Sequence, residues 1–195
     1  MSDLVIGDDG LARCRWGAST PDYVSYHDEE WGQPVRTDDA LFERLTLEAF
    51  QSGLSWITIL RKRPAFRAAF DGFVIGKVAT YGEADVARLL ADAGIVRNRS
   101  KIEAAIANAR AAADLPDGLA TLLWSFAPPP RPAGRPTSFA EVPATTAEST
   151  AMAKALRKLG FRFVGPTTAY ALMQATGMVD DHLADCHVQV VVSAR

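Results

Sequence analysis

The run Leu159-Gly160-Phe161-Arg162-Phe163-Val164-Gly165-Pro166-Thr167-Thr168-Ala169 decides how the chain folds. A helical pattern stops at Gly160, since glycine is the commonest residue just past a helix C-terminus. A second helix opens at Pro166, whose fixed φ and missing N–H suit a first turn. The connection is short, so the two helices must be neighbours. Working outward, the same periodicity recurs. Upstream, Thr145 and Glu148 form a capping-box pattern opening a helix through Leu156. Downstream, the helix from Pro166 runs to Thr176 and ends at Gly177. Asp38 to Ser52 places Leu41, Phe42, Leu45 and Ala49 on one arc. Val86, Leu89, Leu90 and Ala93 follow the i, i+3, i+4, i+7 pattern, with a stop at Gly94. Ile102, Ala105, Ile106 and Ala109 repeat it after a Ser100/Glu103 capping box. Only Phe161 to Val164 and Val188 to Val192 read as strands, and both are short. The expectation is an all-α fold.

Composition narrows the possibilities. The 195 residues are 48% hydrophobic and 23% charged, a globular mix that excludes a disordered chain. Lys plus Arg is 21 and Asp plus Glu is 23, so no global basic field exists and any nucleic-acid contact must be local. No apolar run reaches the roughly 18 residues of a membrane span. Met1 to Gly10 carries Asp3, Asp8 and Asp9 but no basic residue, unlike a signal peptide. The expected protein is soluble and cytoplasmic, without membrane contact, and a monomer. Six of the eleven prolines lie between Pro128 and Pro143. That stretch reads as an extended connector, about 127–144, between two helical lobes rather than as a proline-rich ligand. Residues 1–12 read as an N-terminal extension, 13–188 as the helical domain and 189–195 as a C-terminal tail.

Two constellations carry chemistry. Glu48 lies at the edge of the apolar arc of its helix, while Glu43 and Arg44 fall on the opposite, solvent side. A carboxylate on a buried edge is costly without partners. It is either a boundary residue reaching water or a functional group. The corner Gln51-Ser52-Gly53-Leu54-Ser55 follows, then Trp56 opens a helix to Arg61-Lys62-Arg63. An aromatic ring for stacking and a carboxylate for an exocyclic amine suit a flipped-out purine. Trp16, Trp31, Trp56, Tyr23 and Tyr26 all crowd residues 14–56, as a local core or a stacking pocket.

Cys14, His27, His182 and Cys186 form the second constellation. Two thiolates and two imidazoles are a tetrahedral zinc set, structural when all four positions are filled by protein. On a helix, His182 and Cys186 at i and i+4 would share a face. The alternative is two unrelated buried thiols and two surface histidines. His187 follows Cys186 directly and points elsewhere. The opening turn at Gly165, Pro166 and Thr167 presents free backbone N–H groups able to hold a phosphate. Lys154, Arg157, Lys158 and Arg162 lie upstream of it, and Arg97, Arg99 and Lys101 form a second basic cluster. Each is a phosphate-binding patch or a solvated face.

The hairpin stretch resembles a helix-hairpin-helix element, and residues 13–188 resemble the 3-methyladenine DNA glycosylase I family. The blocks that carry the likeness are Arg13-Cys14-Arg15-Trp16, Tyr26-His27-Asp28-Glu29-Glu30-Trp31-Gly32, Leu47-Glu48 and Gln51-Ser52-Gly53-Leu54-Ser55-Trp56-Ile57. It continues in Asp92-Ala93-Gly94-Ile95-Val96-Arg97-Asn98-Arg99, Gly160-Phe161-Arg162-Phe163-Val164-Gly165 and Asp181-His182 through Cys186. The resemblance implies a helix-hairpin-helix glycosylase fold, with one structural Zn²⁺ on Cys14, His27, His182 and Cys186 joining the N- and C-terminal segments. It implies base recognition by Glu48 within a pocket of Trp16, Tyr23, Tyr26 and Trp56, with Trp31 as wall or packing. Gly53 and Leu54 would fill the gap left by the extruded base, and Gly165, Thr167 and Arg162 would meet the DNA backbone. The implied reaction is monofunctional release of 3-methyladenine as free base from alkylated double-stranded DNA, leaving an abasic site, with no lysine Schiff base. A damaged-DNA binder without catalysis and a zinc-stabilised interaction module are the competing readings. Asp180, two residues before His182, is either an electrostatic contributor at the sugar or a loop carboxylate beside the metal site.

Overall fold

The computed structural model describes residues 2–190. The protein is mostly helical, in chain order α1 (Pro21–Glu29), α2 (Asp38–Gln51), α3 (Trp56–Ala69), α4 (Ile75–Val78), α5 (Glu83–Ala91), α6 (Arg99–Ala113), α7 (Gly118–Trp124), α8 (Ala147–Lys158) and α9 (Pro166–Ala175). Two short strands, β1 (Leu4–Ile6) and β2 (Ala12–Cys14), pair antiparallel with Leu4 opposite Cys14. They are absent from the sequence reading. Neither expected strand forms: Phe161 to Val164 is the turn between α8 and α9, and residues 188–190 are irregular, while 191–192 lie outside the described residues. No helix among the described residues is long and apolar enough to cross a membrane.

Helix α2 is the axis of the molecule. Residues 41–50 are all buried, because α3, α6, α7 and α9 pack around it. The single-arc reading of this helix is therefore corrected. Glu43 and Arg44, expected on the solvent side, are buried, and each has an ion-pair partner: Arg67 lies 2.8 Å from Glu43 and Arg44 lies 2.6 Å from Glu30. Phe50 and Phe66 meet edge to face at 4.8 Å between centroids, joining α2 to α3. Helix α3 runs past the expected end at Arg63, and Pro64 does not break it. Buried Phe66 and Ala69 beyond the proline hold the last turns in the core, offsetting its cost of about 3 kcal/mol.

The helix starts differ in detail from the expected boxes. The N-cap of α6 is Asn98, whose side chain accepts from the Lys101 N–H at 3.1 Å. The capping box of α8 is Thr146 with Ser149, one residue along from the expected pair, with reciprocal bonds of 3.1 and 2.9 Å. After α9 the chain takes an irregular path back to the N-terminal segment. The His187 N–H donates to Ala12 O at 2.8 Å, so the two ends of the described chain meet.

Candidate functional site

The two chain ends meet around the four candidate metal ligands. His182 and Cys186 are brought together by a loop of turns rather than the helix their spacing suggested. Cys14, His27 and Cys186 are buried, and their ligand atoms lie within 4.8 Å of one another. Both cysteines are free thiols. Cys186 Sγ is 3.6 Å from His27 Nε2, and the Leu183 N–H points at Cys14 Sγ from 3.5 Å. The hydrogen bond between the thiols, helped by one from His27, pushes Cys186 down, and the same thiol contact together with burial pushes Cys14 up. His182 stands beside this group, its ring centroid 5.0 Å from that of His27, but only the other three residues bring their ligand atoms within 4.8 Å of one another.

Each histidine is oriented from behind. His27 Nδ1 lies 2.8 Å from Asp28 Oδ1, and His182 Nδ1 lies 2.9 Å from Asp180 Oδ1. That leaves Nε2 as the inward atom of both rings, and His182 Nε2 is buried with no partner among the described residues. A carboxylate behind each metal-facing imidazole is the usual arrangement in metal sites. The donor set, the burial and this orphaned nitrogen all fit a zinc ion. Two glycines allow the approach: a Cβ at Gly17 would lie 2.5 Å from the His27 ring, and one at Gly32 would lie 2.8 Å from His182. Asp180 is thereby accounted for as a carboxylate beside this cluster, also paired with Arg135 at 2.7 Å. It does not line the neighbouring cavity, whereas Asp181 does.

The two candidate ligand histidines carry an aromatic wall. Trp31 packs edge-on to His182 at 4.6 Å, and Trp16 meets His27 at 5.3 Å and Trp31 at 4.9 Å. Tyr23 lies 5.6 Å from Trp16, and Tyr26 lies 5.5 Å from Trp56. These five rings line a cavity of about 360 Å³, into which α2 turns Glu48 and Gln51, and α9 turns Gln174. Trp31 belongs to the wall rather than beneath it. All five pocket residues expected from sequence thus line one cavity.

Glu48 is the electrostatic centre of this cavity. It is buried, and no hydrogen bond among the described residues reaches its carboxyl. Burial pushes it from its ordinary 4.5 up to about 8, against a weaker downward pull from Arg44. Burial, and then the nearby Glu48 charge, also raises the Tyr26 hydroxyl far above its usual range. The indole N–H of Trp56 is buried without an acceptor. Beneath the pocket, burial raises Glu30, but hydrogen bonds from Arg63 and Arg44 prevail and hold it at about 2. The cavity therefore offers π-faces and one carboxyl without a hydrogen-bond partner, a set that suits a flat, cationic heterocycle.

The corner beside the pocket is held by Lys101. Its ammonium donates to Phe50 O at 2.9 Å and Ser52 O at 2.6 Å. Lys101 is buried, which corrects its reading as part of an exposed basic patch. Gly53 sits at φ +79°, a conformation that an L side chain would strain, and Leu54 is exposed. Arg99 is also committed, to Glu83 at 2.9 Å. In the α8–α9 turn, Asn108 clamps Arg162 from both sides, accepting its N–H at 2.7 Å and donating to its carbonyl at 3.1 Å. Gly165 caps α9, Thr167 is exposed in its first turn, and Lys154, Lys158 and the Arg162 side chain are exposed nearby.

Sequence reasoning missed Asp181, Phe139, Val142, Gln51 and Gln174 as lining residues. Asp181 and Gln51 lay inside quoted motifs without a role, and Phe139 and Val142 lay inside the proline-rich connector.

Comparison with known proteins agrees with the mostly helical fold. The methyladenine glycosylase family profile matches residues 16–189. The DNA-3-methyladenine glycosylase 1 of Escherichia coli (strain K12) is 45% identical over 179 residues, 90% of this chain and 96% of that protein. A solved 3-methyladenine DNA glycosylase I from Staphylococcus aureus, described for its 3-methyladenine recognition, superposes with a TM-score of 0.85 at 34% identity. That alignment covers 90% of this chain and 95% of the other. A tyrosine-to-phenylalanine variant of 3-methyladenine DNA glycosylase I, solved in complex with 3-methyladenine, superposes with a TM-score of 0.84 at 34% identity over 90% and 96% of the two chains. With the profile spanning nearly all of the described residues, the chain belongs to the methyladenine glycosylase family.

Proposed function

We propose that this protein excises 3-methyladenine from alkylated double-stranded DNA by monofunctional hydrolysis of the N-glycosidic bond, as a cytoplasmic monomer. The observation that carries the proposal is a partnerless buried carboxyl, Glu48, inside an aromatic-walled cavity. Relatives named DNA-3-methyladenine glycosylase and a solved relative holding 3-methyladenine support the choice of base.

N3-methylation leaves a positive charge on adenine in DNA. In the cavity, Trp56 and Trp16 stack on the flipped base, and Tyr26 and Glu48 face its polar edge. A carboxyl held near 8 by burial keeps its proton at neutral pH until a cation arrives. The cationic base then supplies the missing partner, and Glu48 ionises against it, giving its proton to solvent. The C1′–N9 bond breaks with its electron pair passing to the base, which leaves as neutral 3-methyladenine. Water adds at C1′ and gives its proton to solvent, leaving an abasic sugar. Glu48, as carboxylate, stabilises the positive charge that shifts towards the sugar in the transition state.

The α8–α9 unit acts as a helix-hairpin-helix. The N–H groups at Gly165 and Thr167 receive a phosphate, and Arg162, Lys154 and Lys158 add local positive charge. Gly53 and Leu54 enter the gap left by the base, with Leu54 as an apolar wedge. Zinc would be held by Cys14, His27, His182 and Cys186, and bound there it supplies a cross-link with no open position for chemistry. The chain itself uses that cross-link to hold Trp16 and Trp31 in place.

The test is base release from methylated duplex DNA, with the released base identified by chromatography. Release of 3-methyladenine by the wild-type protein, and at least a hundredfold less by Glu48→Gln, is the expected result. Equal release by the variant would remove the role given to Glu48. Binding of DNA without release would leave the non-catalytic reading standing.

A further inference from the structure

The segment Pro128 to Pro143 reads as a linker in sequence, yet it is pinned at four places. Arg131 pairs with Asp181 at 2.5 Å, and Arg135 pairs with Asp180 at 2.7 Å. Pro136 O accepts from the Ala184 N–H at 2.9 Å. The Phe139 N–H donates to Asp3 Oδ2 at 3.0 Å, so the N-terminal segment holds the loop from the other side. Asp181 is almost fully buried and also accepts from Tyr170 and Gln174, each at 2.7 Å. Six prolines reduce the freedom such a loop loses on ordering. The result is a fixed surface, whose apolar residues Phe139 and Val142 line the base cavity together with Glu48 and Asp181. Phe139 also packs on the cluster of Cys14, Leu183, Cys186 and Val188, which fixes its backbone against the candidate zinc clasp.

We infer that Phe139, assisted by Val142 and positioned by the Arg131–Asp181 pair, is a specificity-determining wall that limits the size of the alkylated base admitted. The inference rests on the glycosylase reading and adds the element that ranks its substrates. The polar groups that face the base come from α1, α2 and α9 and select a purine, but they do not measure its alkyl group. A rigid apolar wall does, because an extra methylene against a fixed surface changes discrimination by about 10- to 200-fold. Arg131 is a positioning residue here, acting through the loop and touching no substrate.

The experiment uses duplex DNA carrying both 3-methyladenine and 3-ethyladenine, with both released bases measured in one reaction. The ratio is independent of how much protein is active, so it separates size selection from simple loss of folding. Phe139→Ala is expected to raise the ethyl-to-methyl ratio about tenfold or more. Arg131→Ala is expected to raise it in the same direction and to speed chymotryptic cleavage after Phe139 at least tenfold. Val142→Ala provides the same readout should Phe139→Ala fail to fold. Unchanged ratios in the active variants would overturn the wall while leaving the glycosylase reading intact. Absence of 3-methyladenine release by the wild-type protein would overturn both.

Discussion

Replacing Glu48 with glutamine should make the protein more stable while disabling it. The carboxyl titrates near 8 in the folded protein against an ordinary value of 4.5. The folded state therefore keeps a proton that the unfolded chain sheds. That advantage is complete below 4.5 and is lost as pH climbs towards 8, with a slope of about 1.4 kcal/mol per pH unit. At pH 7 the loss is about 3 kcal/mol. Glutamine buries a polar group of the same shape but has no proton to lose, so the uncharged burial cost is common to both proteins. The variant should then exceed the wild type by about 3 kcal/mol at pH 7, or about 6–12 °C in Tm for a chain of this size. The two should converge near pH 4.5. The assay is guanidinium unfolding of both proteins at pH 5, 6, 7 and 8, at equal zinc content. Any titration of the cysteine–histidine cluster is common to both and cancels in the difference. A difference that stays flat from pH 5 to 8, or a variant less stable at pH 7, would refute the reasoning about Glu48.

Three further outcomes follow from the geometry. Purified protein should carry about one equivalent of zinc, and His182→Ala should weaken zinc in a chelator competition by more than about a hundredfold, beyond the usual effect of losing an outer-shell partner. Lys101→Met strips the charged donor from Phe50 O and Ser52 O, so denaturation should show a loss of about 2–4 kcal/mol, with base release falling as the corner at Gly53 loosens. Asn108→Ala leaves the Arg162 N–H and carbonyl without their clamp; a stability loss of about 1–3 kcal/mol should accompany weaker binding to undamaged duplex in a filter assay.

Residue chemistry was more legible in this sequence than placement. Glu48 stood out because a carboxylate beside an apolar arc is physically conspicuous. Its neighbours Glu43 and Arg44 were misplaced because angular periodicity assumes one buried face, and α2 is enclosed on every side. The four candidate metal ligands are legible as types, but placing His182 and Cys186 on one face requires a helix where the chain instead makes turns. Asp180 and Asp181 are adjacent and chemically alike. Only tertiary contacts decide that one backs a histidine while the other lines the pocket. The β1–β2 pair was invisible because three-residue strands carry too little alternation to register. Phe139 and Val142 were hidden by their surroundings, since proline-rich composition signals a connector and says nothing about where it docks.

The proposed clasp and the pocket are connected through the aromatic wall. An unpartnered carboxyl, an indole N–H without an acceptor and an arginine nitrogen left unpaired all lie around α2, and each weakens the fold locally. Such groups persist only where the surrounding structure prevents them from relaxing towards water or towards one another. Here that restraint comes from two directions. The enclosed helix α2 fixes the backbone of Glu48, and the rings that face it rest through Trp16 and Trp31 on His27 and His182. The proposed zinc cross-link through those histidines would therefore do more than close the molecule. It would stop the aromatic wall from collapsing onto the carboxyl, and so keep Glu48 short of a partner until the cationic base of the proposed reaction provides one.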